Sequence, residues 1–285
     1  MSNLEISRAQ RLDQKVVELI PELSRGFASR LIEDGKVTVN GTPQTKAGYK
    51  LRGGDDVAVD YDISQLADIP EIDLPVIYED DDCVVINKPI GVLSHSKGTF
   101  NPEATVATWL RSRLKGLSGE RGGIVHRLDR ATSGVMICAK TPEALSWLQK
   151  QFATRNVHKT YLAVITGTMD PAEAIIDMPI ERNPKAPATF RVGMQGKHAT
   201  TAYRVLEGNG THSLVELRPE TGRTHQLRVH LNHQHHPIVG DILYGGEPAN
   251  RLYLHAAELE LTLLAGHERK VFKAPLPPEF LEKVR

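Results

Sequence analysis

The sequence predicts an α+β protein: a larger part built on a mixed, largely antiparallel sheet, preceded by a small α/β domain. Three observations lead there. After residue 80 the chain is rich in strand-like runs ("CVVIN", "GVMICAK", "TYLAVITG", "ATTAYRVLE", "HSLVELRP", "LYLHAAELELTLL"), whereas helical periodicity is confined chiefly to "ATVATWLRSRL" and "TPEALSWLQKQFAT". The regular strand–helix alternation of a doubly wound parallel sheet is absent. The first sixty residues have a separate texture of helix, helix and short strands, and 285 residues suffice for two unequal domains.

The elements follow in order. "RLDQKVVELI" places Leu12, Val16, Leu19 and Ile20 on one helical face, and Pro21 ends it. In "SRGFASRLIEDG", Ser24 is positioned to cap a second helix, Phe27, Ala28, Leu31 and Ile32 share a face, and Gly35 supplies the left-handed stop. "KVTVNG" reads as a strand entering an Asn-Gly turn, and "LRGGDDVAVD" as a turn and strand. These elements give a domain over 1–60. Residues 61–75, acidic and holding two prolines, read as a linker, and 76–285 as the main domain.

The net charge of zero conceals an uneven distribution. Residues 1–60 are balanced, 61–82 carry eight acidic and no basic residues, and 83–285 carry 26 basic against 18 acidic, so the blocks stand at 0, −8 and +8. A basic body is suited to phosphates, and affinity for a polyanion would then fall steeply with salt. No run approaches the roughly 18 apolar residues of a membrane helix, and "MSNLEISRAQR" lacks the apolar core of a secretory signal. The expectation is a soluble cytoplasmic protein, without membrane contact and, as the simplest case, monomeric. Cys83 and Cys138 lie in apolar strands and read as buried thiols. "HLNHQHH" is rich in histidine, but no cysteine or carboxylate spacing accompanies it, so no metal is expected.

Two stretches carry chemistry. In "HRLDRATSG", Asp129 stands between Arg127 and Arg130, and positive charge on both sides favours the charged form of a carboxylate. Such a group suits a nucleophile or an electrostatic partner better than a proton donor. In "RPETGRTHQLRVHL", Pro219 and Gly222 mark a turn and Thr224 is placed to cap a helix. Leu227 and Leu231 face a core at i and i+4, leaving Arg223, His225 and Arg228 to present fixed positive charge into a cleft. Tyr161 opens the strand "TYLAVITG" and offers a ring for base stacking. The kinase loop is excluded because Leu and Asp are transposed in "HRLD" and no D-F-G follows. Walker, dinucleotide-binding and H-E-x-x-H motifs are missing.

The N-terminal residues "RLD", "SR", Gly35, "VNG" and Gly54-Asp55 resemble the small RNA-binding domain named after ribosomal protein S-four. That resemblance implies docking on structured RNA through Arg11, Arg25 and Arg30. From "YEDDDCVVINKPIGVLSH" through "GIVHRLDRATSGVMICAKT", "HKTYLAVITG" and "RPETGRTHQLRVHL" to "HPIVGDILYG", the chain resembles the RluA family of pseudouridine synthases.

The family resemblance implies that Asp129 is the nucleophile, that Arg228 pairs with it, and that Tyr161 stacks on the base and helps remove the C5 proton. Arg127, Arg130, Thr132, Arg223, His225, Asn87 and Lys88 are then the expected substrate contacts. No cofactor is required, because the isomerisation is redox-neutral. Structured RNA is the expected partner, not DNA, with large-subunit ribosomal RNA favoured and transfer RNA the alternative. Two other classes stay open on the sequence alone: a non-catalytic RNA-binding or ribosome-assembly factor, and a carboxylate glycosidase, which would need a second carboxyl group near Asp129.

Overall fold

The computed structural model of the protein describes residues 10–21, 23, 25–61, 70–95, 103–117 and 121–285. Ser24, and residues 62–69 of the expected linker, lie outside them. The chain divides into two compact units, one of Met1–Ile72 with His95–Trp109, the other of Asp73–Ser94 with Leu110–Arg285.

In the first unit, helices α1 (Leu12–Leu19) and α2 (Arg25–Glu33) cover an antiparallel sheet of β1 (Val37–Val39), β2 (Thr42–Pro43) and β3 (Val57–Val59). Leu12, Val16, Ala28, Leu31 and Ile32 enter its core, whereas Leu19, expected on the same face, is 46% exposed because the helix ends there. Asn40 and Gly41 both have positive φ (51° and 76°), the mirror-image turn that lets β1 fold back on β2. Asp13 is buried, and its carboxylate accepts from Arg11 Nε (3.0 Å) and Nη2 (2.9 Å) and from Arg25 Nε (3.0 Å). Two of the three expected docking arginines therefore also pair with Asp13, Arg11 at the start of α1 and Arg25 reaching across from α2, while Arg30 is exposed on α2.

The second unit holds β4 (Val76–Glu79) and β5 (Cys83–Lys88). A short helix α3 (Val106–Leu110), which belongs to the first unit up to Trp109, comes next in the chain, and the second unit continues with β6 (Ser133–Ala139), α4 (Pro142–Ala153), β7 (His158–Thr166), β8 (Glu173–Asp177), β9 (Ile180–Arg182) and β10 (Phe190–Val192). It closes with β11 (Thr200–Gly208), β12 (His212–Pro219), α5 (Gln226–His233), β13 (Leu254–Thr262), β14 (Arg269–Lys273) and α6 (Glu279–Val284). Among the described residues nine strands form one sheet in the order β4-β5-β6-β13-β7-β12-β11-β8, with β14 also on β13. β9 and β10 make a separate hairpin. Only β6 and β13 run parallel, so the sheet is mixed and largely antiparallel, as the strand-like runs predict.

This topology determines where a site can form. Every residue of β6 is buried, which explains its unbroken apolar run and makes its N-terminal end a rigid anchor. β13 pairs His255 with Ser133 on one side and Ala256 with Tyr161 on the other, and β12 pairs Leu217 with Tyr161. The loop before β6, the start of β7 and the turn after β12 are thereby brought together over the middle strands of the sheet. Gly134, at φ +115°, is required there, since a β-carbon would collide with the backbone of Ala256.

Candidate active site

The Asp129 loop is clamped by the segment that follows β5. Ser94 Oγ donates to Leu128 O (2.8 Å) and accepts from Leu128 N–H (3.1 Å), and Gly91 N–H donates to Arg130 O (2.8 Å). Thr132 N–H closes the turn onto Asp129 O at 3.0 Å. Beneath lies Lys88, fully buried, with Nζ donating to Pro89 O (2.8 Å) and Val92 O (2.9 Å). Burial lowers its pKa to about 8, against the opposing pull of the Asp129 charge. The loop is therefore held by the segment after β5 and by its own turn, and the Asp129 side chain is left a quarter exposed.

Asp129, Thr132, Tyr161, Arg223, His225, Arg228 and Arg127 line one cavity of about 530 Å³. Arg130, Asn87 and Lys88, expected at the substrate, do not. Arg130 turns its Nη1 to Gly91 O (3.3 Å), Asn87 sits in β5 opposite Val135, and Lys88 is committed to loop carbonyls. Lys159 and Arg155 join the lining instead. Lys159 shares a strand face with Tyr161, two residues on, and burial followed by the charge of Arg155 lowers it to about 8. The i, i+2 spacing in "HKTYLAVITG" was the available signal for it.

Arg228 does lie beside Asp129, as expected, but its tighter partner is Asp241. Arg228 donates from Nε (2.7 Å) and Nη2 (2.6 Å) to the two oxygens of Asp241, a bidentate fork, while its Nη1 lies 3.7 Å from Asp129 Oδ2. Burial works against the guanidinium charge, but Asp241, with help from Asp129, outweighs it and raises the pKa. Asp241 is 2% exposed, and Gly240 before it has φ +80°, where a β-carbon would strike Arg251 O. The sequence hint was an aspartate inside the apolar stretch "IVGDILYG", which demands a cation from elsewhere.

Helix α5 also begins differently. Thr224 does not cap it; the N-cap is His225, at φ 56° and ψ 21°, and Gln226 organises the turn. Its Oε1 accepts from Thr221 Oγ1 (2.7 Å) and Arg223 N–H (3.0 Å), and its Nε2 donates to Thr200 O (2.9 Å). Leu227 and Leu231 do face the core. His225 is not a fixed positive charge: burial lowers its pKa, although Asp129 pulls the other way. Burial, then the Asp129 charge, raises the phenol of Tyr161 far above its ordinary value, so the hydroxyl is protonated near neutral pH.

No helix is long and apolar enough to cross a membrane, and no cluster of metal-ligating side chains occurs, among the described residues. The sequence pattern of the family described as RNA pseudouridylate synthase matches residues 82–233, and that of the S4 domain matches 10–57. The chain is 41% identical over 275 residues to Ribosomal large subunit pseudouridine synthase D of Yersinia pestis, covering 95% of this chain and 83% of that one. It is 37% identical over 294 residues to the protein of that name in Escherichia coli (strain K12), covering 96% and 90%. Among solved structures, Human RNA Pseudouridylate Synthase Domain Containing 1 superposes with TM-score 0.61 at 31% identity, covering 73% of this chain and 86% of that one. Human RNA Pseudouridylate Synthase Domain Containing 4 gives 0.59 at 29%, covering 73% and 91%. An aspartate clamped at a nucleotide-sized cavity, an appended S4 domain and these relationships converge: the chain belongs to the RNA pseudouridylate synthase family.

Proposed function

We propose that the protein converts uridine to pseudouridine in large-subunit ribosomal RNA, with Asp129 as the reacting carboxylate. The isomerase activity is that of its family; the target and the residue roles are inferred. The target reading is supported by the names of relatives matched along 95% and 96% of the chain and by the S4 domain, and a cytoplasmic site of action follows from it.

The reaction breaks the bond from uracil N1 to the ribose and forms one from C5. A proton leaves C5, N1 regains one, and no electrons are gained or lost. Asp129 attacks the ribose or the base and is regenerated as the new bond forms. Arg228, held by Asp241, supplies fixed positive charge beside it. Tyr161 stacks on the base, and Arg127, Arg223, Arg155 and Lys159 surround the phosphates. A cavity of about 530 Å³ falls within the roughly 300–1,000 Å³ of small-ligand sites, enough for one extruded nucleotide and too small for a paired stem.

The observation that carries the reading is Asp129 in that cavity wall, 3.7 Å from Arg228. Ribosomal RNA carrying tritium at uridine C5 should release label to water with the wild type and not with Asp129→Ala. Pseudouridine mapping in cells lacking the gene should show losses in large-subunit RNA. Losses confined to transfer RNA would overturn the target, and equal release by both proteins the role of Asp129.

A further inference from the structure

Tyr244, in the short turn that follows Asp241, joins two parts of the site. Its Oη lies 2.7 Å from His225 Nδ1 and accepts the backbone N–H of Phe190, on β10, at 3.0 Å. The other imidazole nitrogen, Nε2, lies 3.7 Å from Asp129 Oδ2. His225 has left-handed backbone angles, uncommon for a residue other than glycine, and its ring lies edge-on to both Phe190 and Tyr244.

We propose that His225 and Tyr244 form a positioning dyad, in which Tyr244 locks the imidazole as its Nε2–H tautomer and so holds one N–H donor toward the Asp129 carboxylate. The hydrogen-bond directions assign the tautomer. Phe190 N–H fills one acceptor position of Tyr244 Oη, and Nδ1 at 2.7 Å is within reach to accept the phenolic proton, an arrangement that gives that proton a partner and leaves Nδ1 the unprotonated nitrogen. The opposite tautomer would turn the Nε2 lone pair on the carboxylate.

The groups facing the ring agree with a neutral imidazole. Asp129 and Asp241 favour its protonation, Arg228 and Arg127 oppose it, Tyr244 donates to it, β10 presents the Phe190 amide and ring, and burial is the largest influence. A neutral donor orients one carboxylate oxygen without competing with Arg228 for a full ion pair. At 3.7 Å the contact is longer than a hydrogen bond, as catalytic contacts commonly are before substrate tightens them. Through Phe190 the same dyad ties the β9–β10 hairpin to the reacting carboxylate.

This proposal rests on Asp129 being the reacting group, but its first test does not require turnover. Long-range proton–nitrogen correlation spectra of the full-length, histidine-labelled protein at pH 7.5 should show His225 protonated at Nε2 and bare at Nδ1. Tyr244→Phe keeps the ring over Arg228 (guanidinium to ring centroid 4.9 Å) and removes only the hydroxyl. It should convert His225 to a mixture of tautomers and lower kcat on ribosomal RNA about tenfold, the equivalent of one lost hydrogen bond, with KM unchanged. An Nδ1–H or doubly protonated His225 in the wild type, or Tyr244→Phe with wild-type kcat, would overturn the dyad. The expected tautomer in a protein that releases no tritium from any RNA would instead overturn the functional reading and leave the tautomer assignment standing.

Discussion

Arg228 is gripped by Asp241 in a buried bidentate pair, Nε and Nη2 at 2.7 and 2.6 Å, and only its remaining nitrogen is turned toward Asp129. Arg228 is therefore oriented from behind by a carboxylate that does not itself line the cavity. Asp241→Ala should cost about 3–5 kcal/mol of stability, the usual effect of stranding a buried charge. Arg228→Lys, unable to make the fork, should lose most turnover. Urea titration and tritium release check both; an Asp241→Ala protein as stable and active as wild type would remove this account.

Tyr161 separates stacking from acid–base chemistry. Its phenol is protonated through neutral pH, and the role proposed for it is stacking by the ring. Tyr161→Phe should bind an RNA stem-loop as the wild type does, whereas Tyr161→Ala should lose about 1–3 kcal/mol, one base stack. Fluorescence anisotropy distinguishes them. Equal losses in both variants would transfer the role to the hydroxyl.

These two residues show what the sequence exposes and what it hides. The apolar run of β6 and the turn chemistry of Asn40-Gly41 are local, so fold class and the Asp129 loop could be read directly. The parallel pairing of β6 with β13 joins Ser133 to His255, far beyond any sequence window, and is what sets Tyr161 near the Asp129 loop. Asp241 was hidden because its partner lies 13 residues away across a turn. Lys88 was misplaced because its partners are carbonyls, which no side-chain pattern reveals. The start of α5 was misread because Thr224 fits the capping rule, while Gln226 supplies the turn's hydrogen bonds from inside the helix.

Lys88 gives a pH-dependent test. Its folded pKa is depressed to about 8 from 10.5, so the unfolded chain holds more protons between those values. The stability it contributes is fully present above 10.5 and is lost as pH falls through about 8. The wild type should therefore gain on Lys88→Met as pH rises from 7.5 to 10, by up to about 3 kcal/mol. Lys159, also depressed, is common to both proteins and cancels. Paired urea titrations measure the difference, and one that does not change with pH would show that Lys88 is not confined as described.

Asp13 gives a contribution of the same sign in the first unit, but in the acid range. Burial pushes its pKa up, but hydrogen bonds from Arg11 and Arg25 outweigh this and leave it lowered from 3.8. A depressed carboxylate contributes stability above its unfolded pKa and loses it as pH falls through the folded value, so the benefit is complete at neutral pH and gone in strong acid. Asp13→Asn should weaken protection of the α1 and α2 amides at pH 7 by about 1–3 kcal/mol, the worth of hydrogen bonds to a charged group. Hydrogen exchange measures this. Because the variant keeps both arginines, its RNA binding should retain the wild-type salt dependence, whereas Arg30→Ala should reduce the slope by about one counterion. A slope unaffected by Arg30→Ala would remove that arginine from the RNA-docking surface.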